Sequence, residues 1–293
     1  MNHQSLATSH KSLSVVLATR NEEENIARCL NSVKEIADEI IVVDEYSTDK
    51  TRDVAEKLGA KVYQEPHHDI FHITKQKALG YAKGDWMLQL DADEEVTPEL
   101  AKEIKGIVKE NKKPDVPLEL FLRHQRLIEK RDGPIGRKTG GVVGYFVSRK
   151  NMFLGKPLIH AGSYPDGVIR LIKKGKAHFP QKSVHEQIQL DGEVSWLKNS
   201  LKHYDSPTLK RYFIRMNRYT DLQAEELEFK KVPKNVMYLA LYTIHKPLVT
   251  FCSLFFRHLG FLDGVRGFLW SSFSASHYPI AYFKYLTSNY NKE

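Results

Sequence analysis

From Ser12 onward the chain alternates short, wholly apolar runs with longer segments in which apolar residues recur every three or four positions. SLSVVLATRN is β-branched and predicts a buried strand; EEENIARCLNSV carries Ile26, Leu30 and Val33 at helical spacing behind an acidic first turn. The alternation repeats. EIIVVD predicts a second strand, and STDKTRDVAEKLG a helix capped by Ser47 or Thr48 and ended by Gly59. AKVYQE predicts a third strand. After a loop come a helix in TKQKALGYAKG, a strand in DWMLQLDAD that runs into acids, and a helix in TPELAKEIKGIVKE with Pro98 in its first turn. Such an order predicts an α/β fold, a mostly parallel, Rossmann-like sheet with helices on both faces. Ligands of such sheets bind beyond the carboxyl ends of the strands.

After Ser206 the pattern becomes helical and aromatic. Leu209 to Glu228 predicts an amphipathic helix. NVMYLALYTIHKPLVTFCSLFF is long enough to span a bilayer, but His245, Lys246 and Pro247 fall at its centre, where a charge and a helix break are costly in lipid. Two short interfacial helices or a shallow hairpin are the expectation there. Charge sharpens the division: 44 Lys and Arg against 36 Asp and Glu leave +8 overall, and +6 of it lies in residues 206–293. That tail also holds 18 of the 31 aromatic residues, which suits a lipid headgroup boundary. The expected organisation is a flexible tail over 1–11, an α/β domain over 12–205 divided near residue 95, and a helical, membrane-associating region over 206–293. Helices that merely cover the α/β domain are the plainer alternative. Cys29 and Cys252 stand alone, which argues against a disulfide framework or a zinc site, and the first residues lack the apolar core of a secretory signal.

Candidate chemistry gathers at the strand ends: Thr19-Arg20-Asn21-Glu22, Asp44-Glu45-Tyr46-Ser47 and Asp91-Ala92-Asp93-Glu94. One such end would be an ordinary turn or cap; three in succession suggest a site. In LQLDADEE, carboxylates two residues apart leave a buried strand and suit a hard divalent cation that keeps positions open for phosphate oxygens. Neither GxxxxGK[ST] nor GxGxxG is present, so phosphates are left to metal and scattered cations.

The segments VVLATRNEEENIARCL, EIIVVDEYSTDKT, ALGYAKGDW and LQLDADEEV resemble the family 2 glycosyltransferases, inverting enzymes of GT-A fold that use nucleotide sugars. YPDGVIRLIKKGKAHF, VHEQIQLDG, LKHYDSPTLKRYFIRMNRYT and FLDGVRGF resemble the subgroup that builds the lipopolysaccharide core, including its β-1,4-glucosyltransferases. The resemblance implies Thr19, Asn21 and Glu22 around the uridine, Asp44 on the uracil, and Asp91 on ribose or metal. It makes LDAD the DXD motif, with Asp93 on Mg2+ or Mn2+ bridging the diphosphate. Lys75 stands where the family usually has Arg, Gln76 replaces the following Asn, and Asp44-Glu45-Tyr46-Ser47 departs from the commoner pattern. Implied partners are a UDP-sugar donor, a glycolipid or saccharide acceptor, and the cytoplasmic face of the inner membrane, held peripherally or monotopically.

Inversion needs one base to deprotonate the acceptor hydroxyl. Glu186 is preferred, with His185 as metal ligand or diphosphate contact, because the pair matches the subgroup's HE motif; Asp166 is the alternative base, and Arg170 would offer its fork to phosphate. His67, His68 and His72 read as loop histidines, and GPIGRKTGGVVGYFV, with Arg137 and Lys138, as a mobile acceptor or lid loop that orders when donor binds. The lysines of KENKK and KKGK read as solvated helix ends and turns. Two other classes compete. A sugar-phosphate nucleotidyltransferase would show a glycine-rich first loop, where ATRNEEEN stands, and a non-catalytic basic module would bind membrane rather than nucleic acid, since no nucleic-acid motif is present.

Overall fold

A computed structural model describes residues 11–110, 112, 118–137, 139–180 and 188–288. Residues 1–10 of the expected tail over 1–11, together with Lys113, Lys138, His185 and Glu186, lie outside the described residues. The chain divides into two compact units, Met1–Arg149 with Gly167–His203, and Lys150–Asp166 with Tyr204–Glu293.

The first unit grows from β1 (Leu13–Thr19), which is buried at every position, as a strand with both faces covered must be. It pairs in parallel with β2 (Glu39–Asp44) and β4 (Trp86–Leu90), and β2 pairs in parallel with β3 (Lys61–Gln64). The connections carry α1 (Ile26–Val33), α2 (Thr51–Lys57) and α3 (Phe71–Tyr81). Though α1 is short, it buries Ile26, Cys29, Leu30 and Val33 along one face. Each such aliphatic side chain, fully removed from water, contributes about 1.5–3 kcal/mol. Leu100 and Ile104 of α4 (Pro98–Glu110) join the same core.

Beyond β4 the sheet becomes mixed. Its order is β3-β2-β1-β4-β8-β6-β12-β5, where β5 is Glu94–Val96, β6 Val142–Phe153, β8 Asp166–Lys173 and β12 Leu201–Ser206. β8 runs antiparallel to β4, and β12 antiparallel to β5. β7 (Lys156–Pro157) and β11 (Glu193–Trp196) add to β6, while β9 (Ala177–His178) and β10 (Gln189–Leu190) form a separate ribbon. A helix α5 (Glu119–Asp132) precedes β6.

Two local expectations are corrected here. The helix α2 is not capped by Ser47 or Thr48: Ser47 is engaged by Asp44, the Thr48 amide donates to Asn21 Oδ1, and Asp49 Oδ1 serves the first turn through the Thr51 amide at 3.0 Å. The glycine-rich stretch is not a mobile loop from Val142 onward but the strand β6. A Cβ on Gly144 would lie 2.6 Å from Leu190 Cδ1, so that glycine marks a close approach by β10.

The second unit contains α6 (Leu209–Phe229), capped by Thr208, whose Oγ1 accepts from the Arg211 amide at 3.2 Å. It also contains α7 (Val236–Arg257) and α8 (Val265–Thr287). Ala224, Leu227, Tyr242, Tyr282 and Tyr285 form one core cluster, and Phe153, Leu158 and Tyr212, packed by Trp270 and Phe273, another. The central segment is one helix, not two short ones or a hairpin. Its turn Leu241–His245 is π-helical, immediately before the α-helical segment that carries Pro247 in its first turn. A widened turn there relieves the clash of a proline ring with the preceding carbonyl. Lys246 lies over the Tyr242 ring at 3.6 Å, so its charge meets an aromatic face within the helix. By length and composition α7 could cross a membrane, and very little of it is buried.

Candidate active site

The carboxyl ends of β1, β2 and β4 place the predicted residues in two groups. At the ends of β1 and β2, Thr19 Oγ1 donates to Asp44 Oδ2 at 3.3 Å, and the Ser47 amide donates to Asp44 Oδ1 at 2.8 Å. Asp44 is fully buried and fixes its own turn. Asn21 adopts φ of 55°, a left-handed conformation that Asn tolerates. Its amide donates to Ser47 Oγ at 2.8 Å, and the Glu22 amide to Thr51 Oγ1 at 2.7 Å, so the two loops are tied together. Behind them Glu45 is buried against Thr74 Oγ1 and against His67 Nδ1 at 2.6 Å. His68 reaches Lys77, and His72, already within α3, stacks on Phe179.

The second group follows β4. Asp91 Oδ1 meets the Lys75 ammonium at 2.6 Å, and Asp91 Oδ2 accepts from Arg170 Nη2 at 2.5 Å. Arg170 also donates to Glu94 Oε1 at 2.7 Å and to Gln89 Oε1 at 2.5 Å, and Arg149 Nη1 approaches Glu94 Oε1 at 3.7 Å. The Arg170 fork, expected on phosphate, is turned onto protein carboxylates, because buried Glu94 demands a partner. Asp93 stands apart from this lattice and faces His203 Nε2 at 3.5 Å. The register of β5 on β12 sets that approach, with His203 opposite Glu94. A further carboxylate, Asp205, follows two residues along β12.

Thus Lys75, Asp91 and Arg170 are joined directly, and Thr19, Asn21, Glu22 and Asp44 form a second network. Asp166, the first residue of β8, belongs to the second unit and accepts from Asn151 Nδ2 at 3.1 Å. Sequence reasoning missed Arg149 and His203 and gave Glu94 no role of its own. Only Glu94 gave a local signal, as part of the acidic run after β4.

The family model of glycosyl transferase family 2 matches residues 14–118, the part of the chain that carries the carboxyl ends of β1, β2 and β4. An uncharacterised glycosyltransferase of Rickettsia conorii is 30% identical over 261 residues, covering 88% of this chain and 83% of the relative. The chain belongs to glycosyltransferase family 2. The lipopolysaccharide core biosynthesis glycosyltransferase LpsC of Rhizobium meliloti is 26% identical over 270 residues, covering 88% of this chain and 85% of LpsC. Among solved structures, glucosyl-3-phosphoglycerate synthase from Mycobacterium tuberculosis covers 77% of this chain and 82% of its own, at 16% identity and a TM-score of 0.42.

In this glycosyltransferase, burial pushes the Asp91 carboxyl toward the neutral form, but the charges of Arg170, Lys75 and Arg149 outweigh it and hold its pKa well below the carboxylate range. Burial acts on Asp93 in the same sense, and the hydrogen bond and charge of His203 overcome it, so Asp93 is also held low. Both titrate lower folded than unfolded. Their contribution to stability is therefore complete above the unfolded value of about 3.9 and is lost as pH falls through the folded values. Urea unfolding at stepped pH should show that acid limb below about pH 4, and Asp91→Asn should flatten it. An unchanged limb in that variant would show that the ion pairs do not couple to folding.

Proposed function

We propose that this protein is an inverting hexosyltransferase that moves glucose from UDP-glucose to a lipid-linked saccharide such as the lipopolysaccharide core, with Mg2+ or Mn2+ as its resident cofactor. The observation that carries the reading is the turn after β4, where Asp91 is locked between Lys75 and Arg170 while Asp93 faces His203 across 3.5 Å. The donor set fits a divalent ion: an ionised carboxylate and an imidazole, both partly exposed. Asp93 and His203 would hold it, with the predicted His185 as a further ligand or diphosphate contact. When bound, the ion supplies Lewis-acid stabilisation of charge on the leaving diphosphate.

The chain's own groups do the rest. Thr19, Asn21, Glu22 and Asp44 surround the uridine, on loops already braced against each other. Lys75 and Arg170 position Asp91 toward the ribose. The carboxylate of Glu186, or else of Asp166, takes the acceptor hydroxyl proton as that oxygen bonds to the anomeric carbon and the bond to the diphosphate oxygen breaks, its electron pair leaving with UDP. The product has the inverted configuration.

Calorimetric titration of UDP with and without Mn2+, beside GDP and ADP, tests the reading. Metal-dependent, UDP-selective binding is expected; a folded protein that binds no nucleotide would overturn it. Glu186→Gln should abolish transfer and retain UDP binding, and unaltered transfer in that variant would move the base to Asp166.

The likeness to LpsC supports a lipid-linked acceptor, and the surface of the second unit supports a peripheral place on the cytoplasmic face of the inner membrane. Val236, Met237, Ile244 and Leu248 of α7 are all exposed, as are Phe229 and the flanking Lys230, Lys231 and Lys234. Apolar side chains bordered by lysines suit an anionic interface. Sedimentation with vesicles containing phosphatidylglycerol should exceed that with neutral vesicles and weaken with salt. Val236→Glu with Met237→Glu should reduce it about tenfold, a change of about 1.4 kcal/mol, and equal sedimentation of variant and parent would remove α7 from the contact.

A further inference from the structure

Within the second unit lies a cavity of about 330 Å³, a size suited to a small ligand. Its lining is unlike the surface of α7. Four aromatic side chains, Tyr212, Tyr219, Trp270 and Tyr278, share it with Asp205 and Arg215, and the other described lining residues bring hydroxyls, an amide, an imidazole and one thioether. Not one of the described lining residues is Leu, Ile, Val or Phe, although these types crowd the exposed faces of the same unit.

The charges are paired. Arg215 forms an ion pair with Asp205 and donates to Ser206 Oγ at 3.3 Å, while its guanidinium lies 5.5 Å from the centre of the Tyr219 ring. Burial pushes the Tyr212 phenol up to about 12 and lowers the His277 imidazole, so both stay neutral near pH 7. A cavity without net charge gives no advantage to a phosphate or carboxylate. Aromatic faces carry partial negative charge and attract the polarised C–H groups of a sugar ring, and a planar Asp–Arg pair offers acceptors and donors for neighbouring hydroxyls.

We propose that this cavity binds a neutral pyranose ring, the saccharide portion of the acceptor, through the Tyr212, Tyr219, Trp270 and Tyr278 rings and the Asp205–Arg215 pair. The proposal rests on the reading of the protein as a transferase to a saccharide, and the two can fail separately.

The test uses the full chain and methyl glycopyranosides of glucose, galactose and mannose as probes, followed by saturation-transfer NMR, with decanoate as the apolar comparison. At least one glycoside is expected to bind, and Tyr219→Ala and Arg215→Gln should each weaken it about tenfold or more while UDP titrations stay as in the parent. Tyr219 is exposed on α6, so its replacement spares the core, and UDP binding reports folding in both variants. With a working acceptor, the same variants should raise the acceptor KM and leave the UDP-sugar KM unchanged. Decanoate binding in place of glycosides, or glycoside binding indifferent to both substitutions, would overturn the proposal. Loss of UDP binding by the parent protein would instead overturn the donor reading and leave the glycoside result standing.

Discussion

Asp93→Ala is expected to lower turnover about a thousandfold, the upper end of the loss caused by removing one stabiliser of developing charge, while the chain remains folded. Asp93 is the member of the acidic turn least needed by the protein itself. Its neighbour Asp91 is bound by two cations and Glu94 is enclosed, whereas Asp93 is partly exposed and faces His203 at 3.5 Å. Removing it leaves no buried cation without its counter-charge. The comparison to make is UDP calorimetry with Mn2+ alongside transfer assays: the variant should lose the metal-dependent part of UDP binding and most of its turnover. Near-normal turnover, or an undiminished effect of Mn2+, would remove Asp93 from the cation site.

Arg170→Met should act in the opposite way, on stability first. The guanidinium is almost wholly buried and serves Gln89, Asp91 and Glu94 together, and burial, which alone would lower its pKa, is outweighed by Asp91 and Glu94, so the group stays charged. Removing one partner of a buried charge network costs about 3–5 kcal/mol, because the remaining charges are left uncompensated. Lys75 and Arg149 remain near the two acids, so a loss near the lower figure is expected in urea unfolding. Arg170→Lys restores one charge without the planar fork and should recover part of that loss. A cost below about 1 kcal/mol, the range of an exposed ion pair, would mean that the acids are satisfied without Arg170.

The strands β1, β2 and β4 were legible because each is a short, largely apolar run, and the acids that end them were legible with them; β3, only four residues long and partly exposed, was legible from its place after α2. In each case the signal is contained within a few consecutive residues. His203 and Arg149 were not. Their place beside the acidic turn depends on the pairing of β12 with β5 and on the position of β6 in the sheet, and neither local composition nor spacing encodes contacts 55 and 110 residues apart. The strand β6 was hidden for another reason: its glycines suggest freedom, yet Gly144 is small because Leu190 occupies the space a side chain would need. Pro247 misled similarly, since the π-helical turn before it lets α7 continue through a residue that normally ends a helix.

The second unit is assembled from two separate stretches of chain, an excursion over Lys150–Asp166 and the tail from Tyr204. The excursion is stitched to the tail: the amides of Ile159 and His160 both donate to Asp263, the Ala161 amide to the His258 carbonyl, and Arg266 Nε to the Leu154 carbonyl. A chimaera that exchanges only the tail between relatives would bring a foreign partner to a native excursion. Acceptor preference in this lineage should therefore transplant only when both stretches travel together, so the seventeen residues of the excursion are inherited as part of the tail despite their distance from it in the gene.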